Sequence, residues 1–255
     1  MPGSAGSWQA YGSRQHSMGL HIIRPNERVI MIPGIGIDVR GALASGEPIW
    51  WEVAGKTCLA AYQPKGAADY TTSKVNLASP GTYNCSDGAT APGWSAALGW
   101  ICATGYEQLI SALPRSSKPF SFLARFTASG AALAVRGYLA RSSAARGTSI
   151  FHNGLSSIRV DSEGIAVIGS SAFTFGIGVD AVIGFTYSAV GAYVFYLGGT
   201  SYGGGTNDQS LTAGTTLFLS SGTQGLKGSC AAIAQYDAVL APEEVATVST
   251  RMAAL

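Results

Sequence analysis

A chain of 255 residues is long enough to bury its own core, as one large β-sandwich with an appendage or as two ordinary domains. Only 12% of the residues are charged, against a usual ~25%, and 34 glycines with many serines, threonines and alanines give a neutral, polar surface. The net charge is +2 with no block of lysine or arginine, which argues against a nucleic-acid partner.

The excess positive charge sits in residues 1–45, where Arg14, Arg24, Arg28 and Arg40 outnumber Glu27 and Asp38. The first residues lack the charged start and apolar stretch of a signal peptide. A β-prone run, Arg28–Ile32, is broken at Pro33-Gly34 and resumes over Ile35–Val39. Proline in such a run suits an edge or an extended arm. Residues 1–45 therefore read as a partner-docking arm, with Arg14, Arg24 and Arg28 supplying charge and Ile30, Ile32, Ile35 and Ile37 the apolar contacts.

From Gly46 onward the pattern is all-β. Phe120–Phe126 alternates, with Phe120, Phe122, Ala124 and Phe126 on one face. Asn153-Gly154 marks a two-residue hairpin turn, and Asp161–Gly164 a type I turn between Ile158–Val160 and Ile165–Ile168. The apolar stretch 164–199 is interrupted by Asp180 and many small residues, so it predicts strands and no membrane insertion. Within it, Asp180–Tyr187 and the following strand flank the turn Ser188–Gly191. Thr216–Leu219 and Cys230–Tyr236 add two strands, and no fixed-period repeat is present. The chain closes with a helix: Pro242 suits its first position, Glu243 and Glu244 its N-terminal dipole, and Val245, Val248, Met252 and Leu255 share one face.

The motifs that resemble chemistry lack its context. Gly199–Gly203 fits the nucleophile-elbow pattern around Ser201, but a glycine-rich stretch reading as a flexible loop follows it, and His16, His21 and His152 all lie upstream. Gly176–Ala181 loosely matches a dinucleotide fingerprint yet leads into a strand. Asp161 and Glu163, the nearest approach to a glycosidase pair, occupy a tight turn. Cys58, Cys85, Cys102 and Cys230 contain no metal-type spacing, and Asn84-Cys-Ser86 is a glycosylation sequon by pattern only. No catalytic residue, metal or cofactor is expected. Among the aromatics, Trp50, Trp51, Trp94, Trp100 and Tyr202 can stack on sugar rings where exposed. Tyr202 is the best solvent-facing candidate and Trp94 the second, Trp94 and Trp100 also reading as packing residues.

The order of landmarks carries a resemblance over residues 46–255. Tyr62–Tyr70, Val75–Tyr83, Ala91–Trp94 and Gly99-Trp100 resemble the opening of laminin-G-like, concanavalin-A-like domains of bacteriophage and bacterial surface proteins; Phe185–Tyr187 and Tyr236–Val245 match later landmarks. The resemblance implies an antiparallel two-sheet jelly-roll sandwich with a short C-terminal helix, preceded by the extended arm. It makes the first and last strands neighbours, and so pairs Cys58 with Cys230 in a disulfide. Buried free thiols, or a Cys85–Cys102 pair, are the other readings. Members often bind carbohydrate, some through calcium, but the scattered acids Asp69, Asp87, Asp161, Glu163, Asp180 and Asp208 do not form the cluster calcium requires. The function implied is a non-enzymatic structural or accessory protein on the outside of a bacteriophage-like particle. It would be assembled in the host cytoplasm and anchored by its arm to capsid or tail subunits, as a homo-oligomer or part of a larger assembly. The alternative is a carbohydrate-binding module that recognises a host-surface glycan through Tyr202 and Trp94.

Overall fold

A computed structural model describes residues 48–104, 106–115, 119–129, 136–142, 148–153, 157–162, 166–172, 177–208, 214–219 and 227–255. The arm residues Arg14, Arg24, Arg28, Ile30, Ile32, Ile35 and Ile37 lie outside the described residues, as do His16, His21, Gly154, Glu163, Gly164 and Gly176.

The described chain forms two antiparallel sheets, with a short turn of helix, α1 (Tyr70–Ser73), and a C-terminal helix, α2 (Pro242–Ala253). The first sheet contains β1 (Cys58–Tyr62), β3 (Gly93–Ser95), β4 (Gly99–Cys102), β6 (Phe120–Ala128), β11 (Asp180–Tyr187), β12 (Ala192–Leu197), β13 (Thr200–Thr206) and β15 (Gly228–Tyr236). Its order is β13-β12-β11-β6-β15-β4-β3, with β1 also paired to β15. The second contains β2 (Cys85–Asp87), β5 (Leu109–Arg115), β7 (Arg136–Ser142), β8 (Thr148–Asn153), β9 (Ser157–Ser162), β10 (Ala166–Ala172) and β14 (Gly214–Phe218), ordered β10-β9-β8-β7-β14-β5-β2. Hairpins join β8 to β9 and β9 to β10, but not at the expected turns. With His152 opposite Ile158, the first closes over more residues than the expected two-residue Asn153-Gly154 turn. With Ser162 opposite Ala166, the second lies beyond Asp161, which is paired with Val167 in the ladder.

The first sheet is covered on both faces. Phe120, Phe122, Ala124 and Phe126 point into the core between the sheets, as their alternation predicts. The intervening Leu123 points the other way, beneath α2. There Val245, Val248 and Met252 meet Trp50, Val182, Tyr196 and Tyr236, with Leu255 at the rim. Glu244 accepts from the Ala241 backbone N–H (2.7 Å), which caps the start of α2. Near its end the Arg251 guanidinium donates to the carbonyl of Glu52 (2.9 Å) and fastens the entering chain alongside.

Strand β15 departs from a simple alternation. The register shifts between Cys230 and Ala232, so Ala231 is an extra residue, a β-bulge. Cys230 and Ile233 consequently share the inter-sheet core, while Ala232, Ala234 and Tyr236 face α2. This corrects the disulfide expected between Cys58 and Cys230. Strands β1 and β15 are neighbours, but their antiparallel register sets Cys58 opposite Tyr236, on the helix side. Cys230 lies six residues back along β15, opposite Trp100 and Phe126, on the other side.

All four cysteines, including Cys85 and Cys102, are free. Burial pushes the Cys58 and Cys85 thiols up to about 12 and raises those of Cys102 and Cys230 as well. Raised thiols hold almost no thiolate near neutral pH, and the thiolate is the reacting form. Iodoacetamide at pH 8 is therefore expected to label native protein far more slowly than protein in urea, and reductant to leave the melting temperature unchanged. A reductant-dependent melting temperature would restore the disulfide.

Candidate functional site

Strand β13 is one edge of the first sheet, and every residue from Thr200 to Thr206 is exposed. The glycine-rich stretch expected to be a flexible loop is thus a paired strand. Two of its glycines are demanded by strand β12: a Cβ on Gly204 would stand 2.2 Å from the Tyr193 carbonyl oxygen, and one on Gly205 would stand 2.7 Å from the Tyr193 hydroxyl. Between the pairs Val194–Gly204 and Tyr196–Ser201, both Tyr202 and Gly203 stand against Phe195 alone. The result is a bulge, a device that re-aims a side chain on an edge. Tyr202 is 47% exposed, which agrees with its expected place in solvent. Ser201 lies within this strand, and Tyr202–Thr206 continue it, so the helix a nucleophile elbow needs is not there.

Trp94 lies in β3, at the opposite edge of the same sheet. Its indole is half-buried, packs on the inter-sheet core and donates through Nε1 to the Pro64 carbonyl (2.8 Å). Strands β13 and β3 are six spacings apart in the sheet order, roughly 29 Å. Tyr202 and Trp94 therefore cannot line one site. Trp100 is fully buried with Nε1 on the Ser73 hydroxyl (2.9 Å), and Trp50 is buried edge-on to Trp51.

Beside Trp94's edge the structure assembles a group that the sequence pattern did not single out. The chain between β1 and β2 packs at the β2 and β3 edges, carrying α1. There the Tyr70 hydroxyl donates to Asp87 (2.5 Å), and the Lys74 ammonium reaches both Asp87 oxygens (3.1 Å each) while lying 4.1 Å above the Tyr70 ring. Partial burial pushes the Asp87 carboxyl up, but the hydrogen bonds from Tyr70 and Lys74 outweigh it and hold the group below the usual carboxylate range. Burial, then the bond to Asp87, raises the Tyr70 phenol. The available signal was local: Asp69 as a cap, followed by an aromatic and a lysine four residues apart, the spacing of one helical face.

Among the described residues no group of three or more His, Cys, Asp or Glu side chains is placed to hold a metal ion. No described helix is long and apolar enough to cross a membrane.

No family model and no curated protein matches the sequence. Solved structures do match in three dimensions. The receptor-binding domain of botulinum neurotoxin D is 12% identical at a TM-score of 0.56, over 76% of this chain and 52% of that one. A Trypanosoma rangeli sialidase, solved with the inhibitor DANA, is 10% identical at 0.58, over 81% and 34%. Domain 4 of an extracellular arabinanase from Geobacillus stearothermophilus, solved with arabinotriose, is 14% identical at 0.56, over 76% and 98%. The chain spans about half the length of the toxin domains it matches. At these identities the likeness establishes the fold alone, an antiparallel two-sheet β-sandwich.

Proposed function

We propose that this sandwich is a non-enzymatic carbohydrate-binding domain that seats a sugar ring on Tyr202. The observation that carries the proposal is the bulge in β13, which holds an aromatic ring in solvent on a paired and therefore rigid strand. An exposed phenol offers a π-face to the C–H face of a sugar and a polar tip to its hydroxyls. The neighbouring side chains Thr200, Ser201 and Thr206 are exposed hydroxyls that can donate and accept, and none is charged. Support comes also from the arabinanase domain, which was solved with arabinotriose, and from a similar structure of botulinum neurotoxin type C, a toxin whose cell entry depends on interaction with two ganglioside molecules.

Attachment to capsid or tail subunits of a bacteriophage-like particle, the other role implied by the resemblance, rests on the sequence of residues 1–45. None of the solved structures named above is a particle component. The two roles are compatible, since a sandwich displayed on a particle has a use for glycan recognition.

Glycan-array screening tests the proposal. The protein is expected to retain at least one class of glycan, and Tyr202→Ala to weaken that binding roughly tenfold, about 1.4 kcal/mol. Tyr202→Phe, which keeps the ring, is expected to retain most of it. No retention on any array at high protein concentration, or full retention by Tyr202→Ala, would overturn the assignment.

A further inference from the structure

We propose that Tyr70, Lys74 and Asp87 form a second saccharide site, for neutral sugars with adjacent hydroxyls, so that one sandwich holds glycans at two opposite edges. This rests on the carbohydrate-binding reading but on different residues.

The cluster has the parts such a site needs. Asp87 is an ionised acceptor whose side chain is 41% exposed. Lys74 is a multiple donor beside it, and Tyr70 gives a half-buried ring and a hydroxyl. Two adjacent sugar hydroxyls can donate to the carboxylate and accept from the ammonium at once, replacing the water that otherwise solvates the pair. The charges indicate the ligand class. Lys74 is neutralised by Asp87, and the exposed carboxylate of Asp69 sits one residue before Tyr70, so the patch is slightly negative and disfavours acidic sugars.

The cluster is also held in place from below. Asp69 accepts from the Thr72 N–H (2.7 Å), Trp100 holds Ser73, and the Cys85 N–H donates to the Lys74 carbonyl (2.8 Å). The Asn76 amide ties this segment to Leu59 and Thr82, and its oxygen accepts from the Ala61 N–H. Tyr83, just before β2, is in the left-handed region at φ 60°, with its carbonyl accepting from Tyr62 and from Ser111. Non-glycine residues persist there only where the surroundings over-determine them. Rigid support of this kind keeps the ordering cost of binding low.

Backbone-amide NMR titration of the full chain tests it, with lactose, cellobiose and mannobiose as neutral probes and sialyllactose as the acidic one. A neutral probe is expected to shift amides at 70–75 and 85–87 as a set separate from 200–206, and sialyllactose to shift that set less. Asp87→Asn and Tyr70→Phe should each remove the first set and spare the second, with the remaining spectrum unchanged as proof of folding. Shifts at 200–206 alone would overturn this second site and leave Tyr202's role intact. Shifts at 70–75 and 85–87 alone would uphold it and remove Tyr202's. First-set shifts that survive in both variants, or no shift anywhere, would overturn it.

Discussion

Alanine at position 99 is expected to destabilise the sandwich by roughly 3 kcal/mol, through two additive effects at one site. Gly99 opens β4 at φ +83°, a conformation that costs an L-residue ~1–2 kcal/mol. A Cβ there would also stand 2.3 Å from the Cys230 carbonyl oxygen, where side chains do not go. The backbone crowding has a topological cause. Strand β15 pairs with β4 over Gly228–Cys230 and with β1 over Ile233–Tyr236, and the Ala231 bulge marks the changeover. Gly99 is where β4 begins against that bulge. Gly81→Ala supplies the control, because Gly81 has nearly the same φ, +87°, with no atom within 4 Å of its virtual Cβ. It should cost about 1 kcal/mol. In a domain of this size each kcal/mol lowers the melting temperature by about 2–4 °C. Gly99→Ala should thus melt about 6–12 °C low and Gly81→Ala only a few degrees low. Equal losses would show that the overlap with Cys230 relaxes away.

The same bulge divides what the sequence discloses from what it conceals. Alternation at Phe120–Phe126, the turn at Ser188–Gly191 and the one-sided apolar pattern of Val245–Met252 are local signals, and all three appear as read. A bulge adds a single residue without a composition of its own. Nothing local at Cys230-Ala231-Ala232 announces that the face changes. The six-residue offset of Cys230 from Tyr236, the partner of Cys58, is a matter of register, so the resemblance carried the adjacency of β1 and β15 but not the separation of Cys58 and Cys230. Strand β13 repeats the lesson. Three consecutive glycines read as a loop, because the sequence does not show that Tyr193 of the neighbouring strand occupies the space of two missing side chains. The exposure of Tyr202 survived that error, since both readings leave it in solvent. The Tyr70–Lys74–Asp87 group needed the third dimension: Tyr70 and Lys74 belong to α1 and its C-terminal cap, whereas Asp87 is on strand β2, thirteen residues beyond Lys74, and is brought in by the pairing of β2 with β5 and the Lys74–Cys85 backbone bond.

Helix α2 provides the second large effect, through a cation buried beneath it. Arg125 occupies the helix-facing side of β6 and is only 8% exposed. Its Nε donates to Asp180 (2.8 Å), its Nη2 donates to the same carboxylate oxygen, and its Nη1 donates to the Met252 carbonyl (3.0 Å) in the last turn of α2. The guanidinium thus satisfies an acceptor at the end of the helix and places positive charge at its negative pole. Arg125→Met keeps the apolar stem but leaves the Met252 carbonyl with only weaker backbone bonds at the helix end, the Leu255 N–H at 3.4 Å among them, at a cost of roughly 1–2 kcal/mol. Asp180→Asn should cost less, under about 1 kcal/mol, because the Asp180 side chain is 43% exposed and an amide oxygen still accepts from Arg125. Urea denaturation measures the two losses, and amide exchange locates them. In Arg125→Met the amides of the last turn of α2 should lose protection selectively, while those of β6 and β15 keep theirs. If Asp180→Asn is as costly as Arg125→Met and the end of α2 stays protected in both, the ion pair rather than the helix carbonyl is what Arg125 serves.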